Sequence, residues 1–150
     1  MRILIIVTVL LYACFFTGCK TDDIDGVSPN GAPFIKIVSV TPTTIHEFQD
    51  SITITIEYSD DNGDIGSDDP DDNSLSVKDA RLPKPDYYFV KPLAPPGSNI
   101  KIKGVLKVQI KNTFLIGSGG DEYTTYELKL RDRAGNWSNP VTTEQLKITR

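Results

Sequence analysis

The chain has 150 residues, with 16 Lys or Arg against 20 Asp or Glu, and its formal net charge is −4. An acidic chain lacks the basic surface that nucleic acids require, so nucleic acid is excluded as the expected partner. The length is sufficient for one compact domain with a single core.

The first 18 residues are predicted to be a bacterial lipoprotein signal peptide. Met1-Arg2 is a short positive segment, and Ile3 to Phe16 is an uncharged apolar run that is too short to span a bilayer. The small residues Thr17-Gly18 and then Cys19 follow it. This order of features resembles the lipobox of bacterial lipoproteins, which implies cleavage before Cys19 and attachment of a diacylglycerol to its thiol. The alternative is an uncleaved N-terminal helix, against which the shortness of the apolar run argues.

Cleavage would change the chemistry available to the rest of the chain. Arg2 and Cys14 would be lost, which leaves 15 Lys or Arg against 20 Asp or Glu and a formal net charge of −5. Cys19 would carry the lipid, so the mature domain would have no thiol for a disulfide, a thiolate metal site or nucleophilic catalysis. A triacylated cysteine supplies more than one acyl chain, which a stable anchor in a lipid bilayer needs.

Residues 19–33 are predicted to be a lipidated Cys19 followed by a flexible tether, because they are polar, acidic and rich in Gly and Pro. The acidic run Asp22-Asp23-Ile24-Asp25 resembles the export signal of surface lipoproteins of the Bacteroidota. The resemblance implies an outer-membrane lipoprotein that is exposed at the cell surface. The alternative is a tether whose polar residues only keep it soluble.

Residues 34–150 are predicted to be one all-β domain. Ser51 to Tyr58 alternates strictly between apolar and polar residues, so one face of this strand is buried and the other is wet, as in antiparallel sheets. The same alternation recurs in Val105 to Ile110 and Tyr123 to Arg131, and in a short closing strand with Leu146 and Ile148.

The first strand and two shorter strands complete this prediction. Phe34 to Val40 is β-branched, and its apolar residues change phase between Ile37 and Val38, which predicts a bulge or a switch between sheets. Leu75 to Val77 and Tyr87 to Val90 are shorter candidates. The segments Leu82 to Pro85 and Pro92 to Gly97 are too rich in proline to be central strands themselves. About seven short strands with turn signals between them predict an antiparallel β-sandwich.

The C-terminal third of the chain resembles immunoglobulin-like and fibronectin type III domains. Tyr126-Glu127-Leu128-Lys129-Leu130 resembles the penultimate strand of such a domain, with Tyr126 at the position of the tyrosine corner. Asp132-Arg133-Ala134-Gly135-Asn136-Trp137-Ser138 resembles a turn that is common in bacterial immunoglobulin-like domains. The resemblance implies an immunoglobulin-like sandwich. The family's core tryptophan on the third strand is missing, which leaves the strand order between Tyr58 and Ile100 open.

The loop after Tyr58 is crowded with carboxylates, which repel one another and favour a hard cation with oxygen ligands. Asp60, Asn62 and Asp64 alternate as at the start of an EF-hand loop. Ile65 stands where that loop needs glycine, and a strand rather than a helix precedes it, so the loop is not an EF-hand. Its Asn-Gly-Asp-Ile-Gly core, residues 62–66, resembles a loop of small Bacteroidota lipoproteins with immunoglobulin-like domains.

Topology extends this cation site to a second loop. In a sandwich of this kind, the loop after the second strand and the loop before the last strand lie at the same end. We therefore predict one Ca²⁺ site formed by Asp60, Asn62, Asp64, Asp132 and Asn136. The alternative is that the acids form a solvated loop and that residues 132–136 form a hydrogen-bonded turn.

Tyr88 and Trp137 are predicted to present aromatic rings to a glycan or a protein partner, because Tyr87-Tyr88-Phe89 places a ring on each face of its strand. The alternative is that Tyr87 and Phe89 belong to the core and Tyr88 lies at an edge.

No catalytic constellation is evident in the sequence. His46 stands alone in a polar connection without a motif that positions a Ser or Cys nucleophile. The acidic loop is too hydrophilic to raise the pKa of a glycosidase acid. The sequence predicts a membrane-anchored, non-catalytic binding module of the cell envelope, with the Cys19 lipid and Ca²⁺ as its non-protein groups. The alternatives are a carbohydrate-binding accessory or enzyme subunit, and a structural spacer.

Overall fold

The computed structural model describes residues 31–150, so the predicted signal peptide, Cys19 and most of the predicted tether lie outside the described residues. The described residues form ten β-strands. In chain order they are β1 (Phe34–Thr41), β2 (Thr44–His46), β3 (Ile52–Asp60), β4 (Asn73–Asp79), β5 (Asp86–Phe89), β6 (Ile102–Ile110), β7 (Glu122–Thr124), β8 (Tyr126–Leu130), β9 (Val141–Thr142) and β10 (Leu146–Thr149). No helix in this part of the chain is long and apolar enough to cross a membrane.

The strands form two packed layers, which confirms the predicted antiparallel β-sandwich. One layer has the strand order β1-β3-β6, and the other has the order β5-β4-β8-β9. A third sheet has the order β2-β10-β7, in which β2 runs parallel to β10. Along the chain it connects with the second layer, because only Thr125 separates β7 from β8 and β10 follows β9. The strand order between Tyr58 and Ile100 is thereby fixed: β4 and β5 join the second layer, and β6 follows in the first.

The predicted number of strands, about seven, is too low for the described residues, which hold ten. The predicted strand Tyr123 to Arg131 is divided at Thr125 into β7 and β8. The strands β2 and β9 have only 3 and 2 residues, which is too short for an alternation of polar and apolar side chains to be recognised.

The central strand of the first layer follows its predicted alternation. Ile52, Ile54 and Ile56 are fully buried between the layers, whereas the threonines between them are half-buried. The neighbouring strand β1 shifts register between Ile37 and Ser39, so the predicted change of phase is a β-bulge. In the second layer Tyr126 is buried, and this burial raises the pKa of its hydroxyl to about 12.

The loops divide the sandwich into two ends. We call one the acidic end; it comprises loops 61–72, 90–101 and 131–140, which meet where Ile65 pairs with Asp132 and where the Leu93 N–H donates to the Ile65 carbonyl at 3.1 Å. The described chain also starts here, because Gly31 packs against Asn62. We call the other the arginine end; it comprises loops 80–85 and 111–121, which Arg81 joins by donating to the Phe114 carbonyl at 3.0 Å.

Candidate functional site

Asp60, the last residue of β3, is the most buried of the predicted ligands, with 2% of its surface exposed. Its Oδ2 accepts the N–H of Asp64 at 2.9 Å, but its Oδ1 is buried and has no hydrogen-bond partner among residues 31–150. Burial raises the pKa of this carboxyl, and the negative charges of Asp64 and Asp132 act in the same direction. The strand therefore ends in a carboxylate that lacks a counter-charge.

Asp64 supplies a second unsatisfied oxygen at the same place. Its Oδ1 is also buried and without a partner in the described part of the chain, while its backbone carbonyl accepts the N–H of Arg133 at 3.0 Å. Gly63 makes the turn between the two aspartates with a φ of 67°. A Cβ there would lie 2.5 Å from the Ile100 carbonyl oxygen, so the packing of loop 90–101 requires glycine.

Asp132 and Asn136 form a closed turn across the same end. Asp132 Oδ1 accepts the backbone N–H of Asn136 at 2.7 Å, and Oδ2 accepts its side-chain amide at 2.9 Å. The hydrogen-bonded turn that the sequence offered as an alternative is thus present. Asp132 is 3% exposed, and its charge acts on Asp60, so the predicted residues do come together at one end.

The arrangement provides two free carboxylate oxygens rather than a complete cage. Within residues 31–150 no three His, Cys, Asp or Glu side chains are placed to hold a metal ion together. A cation at Asp60 and Asp64 would need its remaining ligands from backbone carbonyls, from water or from side chains that turn toward it. Calcium accepts such mixed oxygen ligands and irregular geometry.

The second predicted site pairs different residues from those expected. Trp137 lies against Tyr87, with ring centroids 6.3 Å apart and planes tilted by 51°. Tyr88 points to the other side of β5, where it lines a cleft with Leu75 and Val90. Because adjacent side chains of a strand face opposite ways, Trp137 is beside Tyr87 and away from Tyr88. Sequence alternation shows that the two tyrosines face apart, but it does not tell which of them faces Trp137.

The sole histidine, His46, takes part in a local surface pair. Its Nδ1 lies 2.8 Å from Asp50 Oδ2, and Asp50 also accepts the His46 backbone N–H at 2.8 Å. These contacts lower the pKa of Asp50. Both side chains are exposed at the start of a turn, which is ordinary for a structural pair.

Comparison with known proteins does not assign the chain to a family. No protein-family model matches the sequence, and no curated protein matches it significantly.

Proposed function

We propose that this chain is an outer-membrane lipoprotein, anchored through a lipid on Cys19, whose sandwich is a non-catalytic binding module steadied by one Ca²⁺ at the acidic end. The anchor is supported by the order of charge, apolar run, small residues and cysteine over residues 1–19. The calcium is supported by two buried carboxylate oxygens, Asp60 Oδ1 and Asp64 Oδ1, that have no hydrogen-bond partner among residues 31–150. That pair of oxygens is the observation that carries the proposal.

A buried carboxylate oxygen without a partner is costly, because it loses its hydration and gains no hydrogen bond in return. Arg133 is close by, but its guanidinium donates to the Gly66 carbonyl at 3.0 Å. A Ca²⁺ ion supplies the missing positive charge and accepts both oxygens. It also tolerates the variable geometry of loop carbonyls and water better than Mg²⁺, which prefers a strict octahedron.

The position of this cation suits an anchored protein. Gly31 packs against Asn62, so the predicted tether joins the sandwich beside the acidic loop. A cation there stiffens the loops on which the domain meets its anchor. The opposite end and the outer faces of the sheets stay free for a partner.

The calcium is tested by thermal unfolding of residues 20–150, which retain the whole described sandwich, with Ca²⁺ or with EDTA. At a hundred times its dissociation constant, a ligand that binds only the folded state adds about 2.7 kcal/mol to the free energy of unfolding. We expect this increase in the parent and its loss in Asp60→Asn plus Asp64→Asn. The matched control, Asp68→Asn plus Asp71→Asn, removes two exposed charges from the same loop and should respond like the parent. An equal response of both variants, or none in the parent, contradicts the calcium site.

The anchor is tested separately in bacteria that carry the full chain and are fed a fatty acid with an alkyne label. The parent should acquire the label and fractionate with the outer membrane. Cys19→Ser should lose the label and leave the membrane fraction. Labelling that persists in Cys19→Ser, or an unlabelled parent, contradicts the lipoprotein assignment.

A further inference from the structure

The outer face of the second layer carries side chains that lie opposite one another on neighbouring strands. In the register of the sheet, Ser76 lies opposite both Tyr87 on β5 and Lys129 on β8, and Lys78 lies opposite Glu127. Residues that are opposite each other in antiparallel strands share a face. Tyr87, Ser76 and Lys129 therefore form one row across three strands, with the Lys78–Glu127 pair beside it.

Trp137 lies over this row and is held there by cations. Lys129 Nζ is 5.6 Å from the centroid of the indole, and Arg131 Cζ is 5.5 Å from it. Arg131 is itself fixed by an ion pair of 2.5 Å with Asp72. Cation–π contacts of this kind orient an aromatic ring. The indole and the ring of Tyr87, which is 54% exposed, flank a shallow cleft of about 280 Å³ with a polar floor.

The charge of this face is opposite to that of the whole chain. Lys78, Lys129 and Arg131 lie against two acidic residues, Glu127 and Asp72, which leaves a net positive charge on this face although the formal net charge of the chain is −4. Arg131 is neutralised by Asp72, whereas neither lysine forms an ion pair within residues 31–150. A positive surface on an acidic protein complements an anionic ligand.

The mixture of rings and charges decides which anionic ligand fits. The centre of a protein–protein interface is depleted in charged residues, whereas two lysines line this cleft. A sugar ring has an apolar C–H face, which buries well on an aromatic ring, and hydroxyls, which suit a floor of Ser, Lys and Glu. A uronic acid adds a carboxylate for a lysine.

We propose that this face binds an acidic polysaccharide, with Tyr87 and Trp137 stacking on its sugar rings and Lys78 and Lys129 pairing with its carboxylates. The inference rests on the proposed function, because it names the ligand of the binding module. It does not depend on the calcium site, which Asp60 and Asp64 form at the acidic end. Glycan binding and calcium binding are measured in separate titrations, so either proposal can fail without the other.

The experiment uses the fact that Trp137 is the only tryptophan of the chain, so its fluorescence reports on this cleft directly. Residues 20–150 are titrated in EDTA with oligomers of galacturonate, of glucuronate-containing hyaluronan and of alginate. We expect a saturable change in Trp137 emission with at least one of them, and weaker binding at higher salt. The methyl ester of the same galacturonate oligomer has the same rings without the charge and should bind more weakly.

Variants separate stacking from charge. Tyr87→Ser keeps Trp137 as the fluorescent reporter. It should weaken binding about tenfold, since the sugar ring loses the tyrosine on which it stacks. Lys78→Gln plus Lys129→Gln should reduce the preference for the acid over its ester. The control Tyr123→Ala removes a ring of similar exposure, 55%, from β7 and should leave binding unchanged. Thermal unfolding checks that each variant is folded.

Two results would overturn the inference. One is the absence of binding to all three acidic glycans, by fluorescence and by calorimetry. The other is equal binding of the ester, or of a proline-rich peptide, which would assign the two rings to a different occupant.

Discussion

The two ends of the sandwich each bury an aspartate, and the surroundings of these aspartates are opposite. At the arginine end, the Asp79 carboxylate accepts hydrogen bonds from Arg81 Nη2 at 2.7 Å and from the Thr124 hydroxyl at 2.5 Å. Burial alone would raise the pKa of this carboxyl, but these contacts outweigh burial and lower it. At the acidic end, burial raises the pKa of Asp60, and one of its oxygens is left without a partner among the described residues. One aspartate has its counter-charge within the fold, and the other does not.

This difference separates a structural carboxylate from one that awaits a ligand. Arg81 also pairs with Glu122 at 2.7 Å, and the Glu122 carboxylate accepts the N–H groups of Ile116 and Gly117. The arginine end is therefore a closed network that ties two loops to the sheet. The acidic end also has arginines, but among residues 31–150 Arg131 pairs with Asp72 and Arg133 donates to the Gly66 carbonyl, so neither satisfies Asp60 Oδ1.

The largest effect is expected for Arg81→Ala. The side chain is 12% exposed, and its removal leaves the buried Asp79 without a counter-charge. Breaking a buried ion pair from one side costs about 3–5 kcal/mol. Denaturant unfolding should show this loss, whereas Lys101→Ala, which breaks an exposed pair with Asp61, should change little. Similar losses for both variants would mean that the arginine network is no stronger than a surface pair.

A smaller loss, of about 2 kcal/mol, is expected for Gly66→Ala at the acidic end, because the backbone conformation there disfavours other residues. Its φ is 82°, and a Cβ would lie 2.3 Å from the Lys91 carbonyl oxygen. The matched control is Gly97→Ala, which has a φ of 78° but nothing within 4 Å of the added Cβ. The two variants share the backbone strain, so the difference in their unfolding free energies measures the clash. Equal losses would show that loop 61–72 does not pack tightly on residue 91.

The smallest effect is a pH dependence of the unfolding free energy that differs between the two ends. The pKa of Asp79 is lowered on folding, so the stability it contributes is present above its ordinary value of 3.8 and is lost as the pH falls through the lowered value. The pKa of Asp60 is raised, so its contribution is complete below 3.8 and is lost as the pH rises through the raised value. In EDTA, the stability difference between Asp60→Asn and the parent should shrink as the pH falls toward 3.8. A stability difference that does not change with pH would contradict the burial of the Asp60 carboxylate.

The sheets could be predicted from the sequence because strand alternation is a local property. The spacing of Ile52, Ile54 and Ile56 predicts β3, and the change of phase after Ile37 predicts the bulge in β1. The short strands β2 and β9 could not be recognised, because their pairing depends on partners that are distant in the chain.

The sequence predicted the residues of the acidic-end site more completely than those of the aromatic site. Asp60, Asp64 and Asp132 could be placed together because sandwich topology assigns their loops to one end. The sequence did not show which oxygens would lack partners, since that depends on the hydrogen bonds from Asp64 and Asn136. Identifying Tyr87 rather than Tyr88 as the neighbour of Trp137 required the register of β4 with β5, and the cation–π contacts of Trp137 required the position of β8. The network around Arg81 joins residues that are distant in sequence, so no sequence motif predicts it.

The central claim is that Asp60 and Asp79 differ in their need for a cation, and the same substitution at both tests it most directly. Asp60→Asn and Asp79→Asn are compared with the parent by denaturant unfolding at neutral pH, first in EDTA and then in Ca²⁺. We predict that in EDTA Asp60→Asn is at least as stable as the parent, because an amide still accepts the Asp64 N–H and carries no buried charge. Asp79→Asn should be less stable by about 3 kcal/mol, because Arg81 loses the charge of Asp79 and keeps only Glu122 as an ion-pair partner. Calcium should then stabilise the parent and Asp79→Asn but not Asp60→Asn. A loss of stability for Asp60→Asn in EDTA that equals the loss for Asp79→Asn would contradict the account.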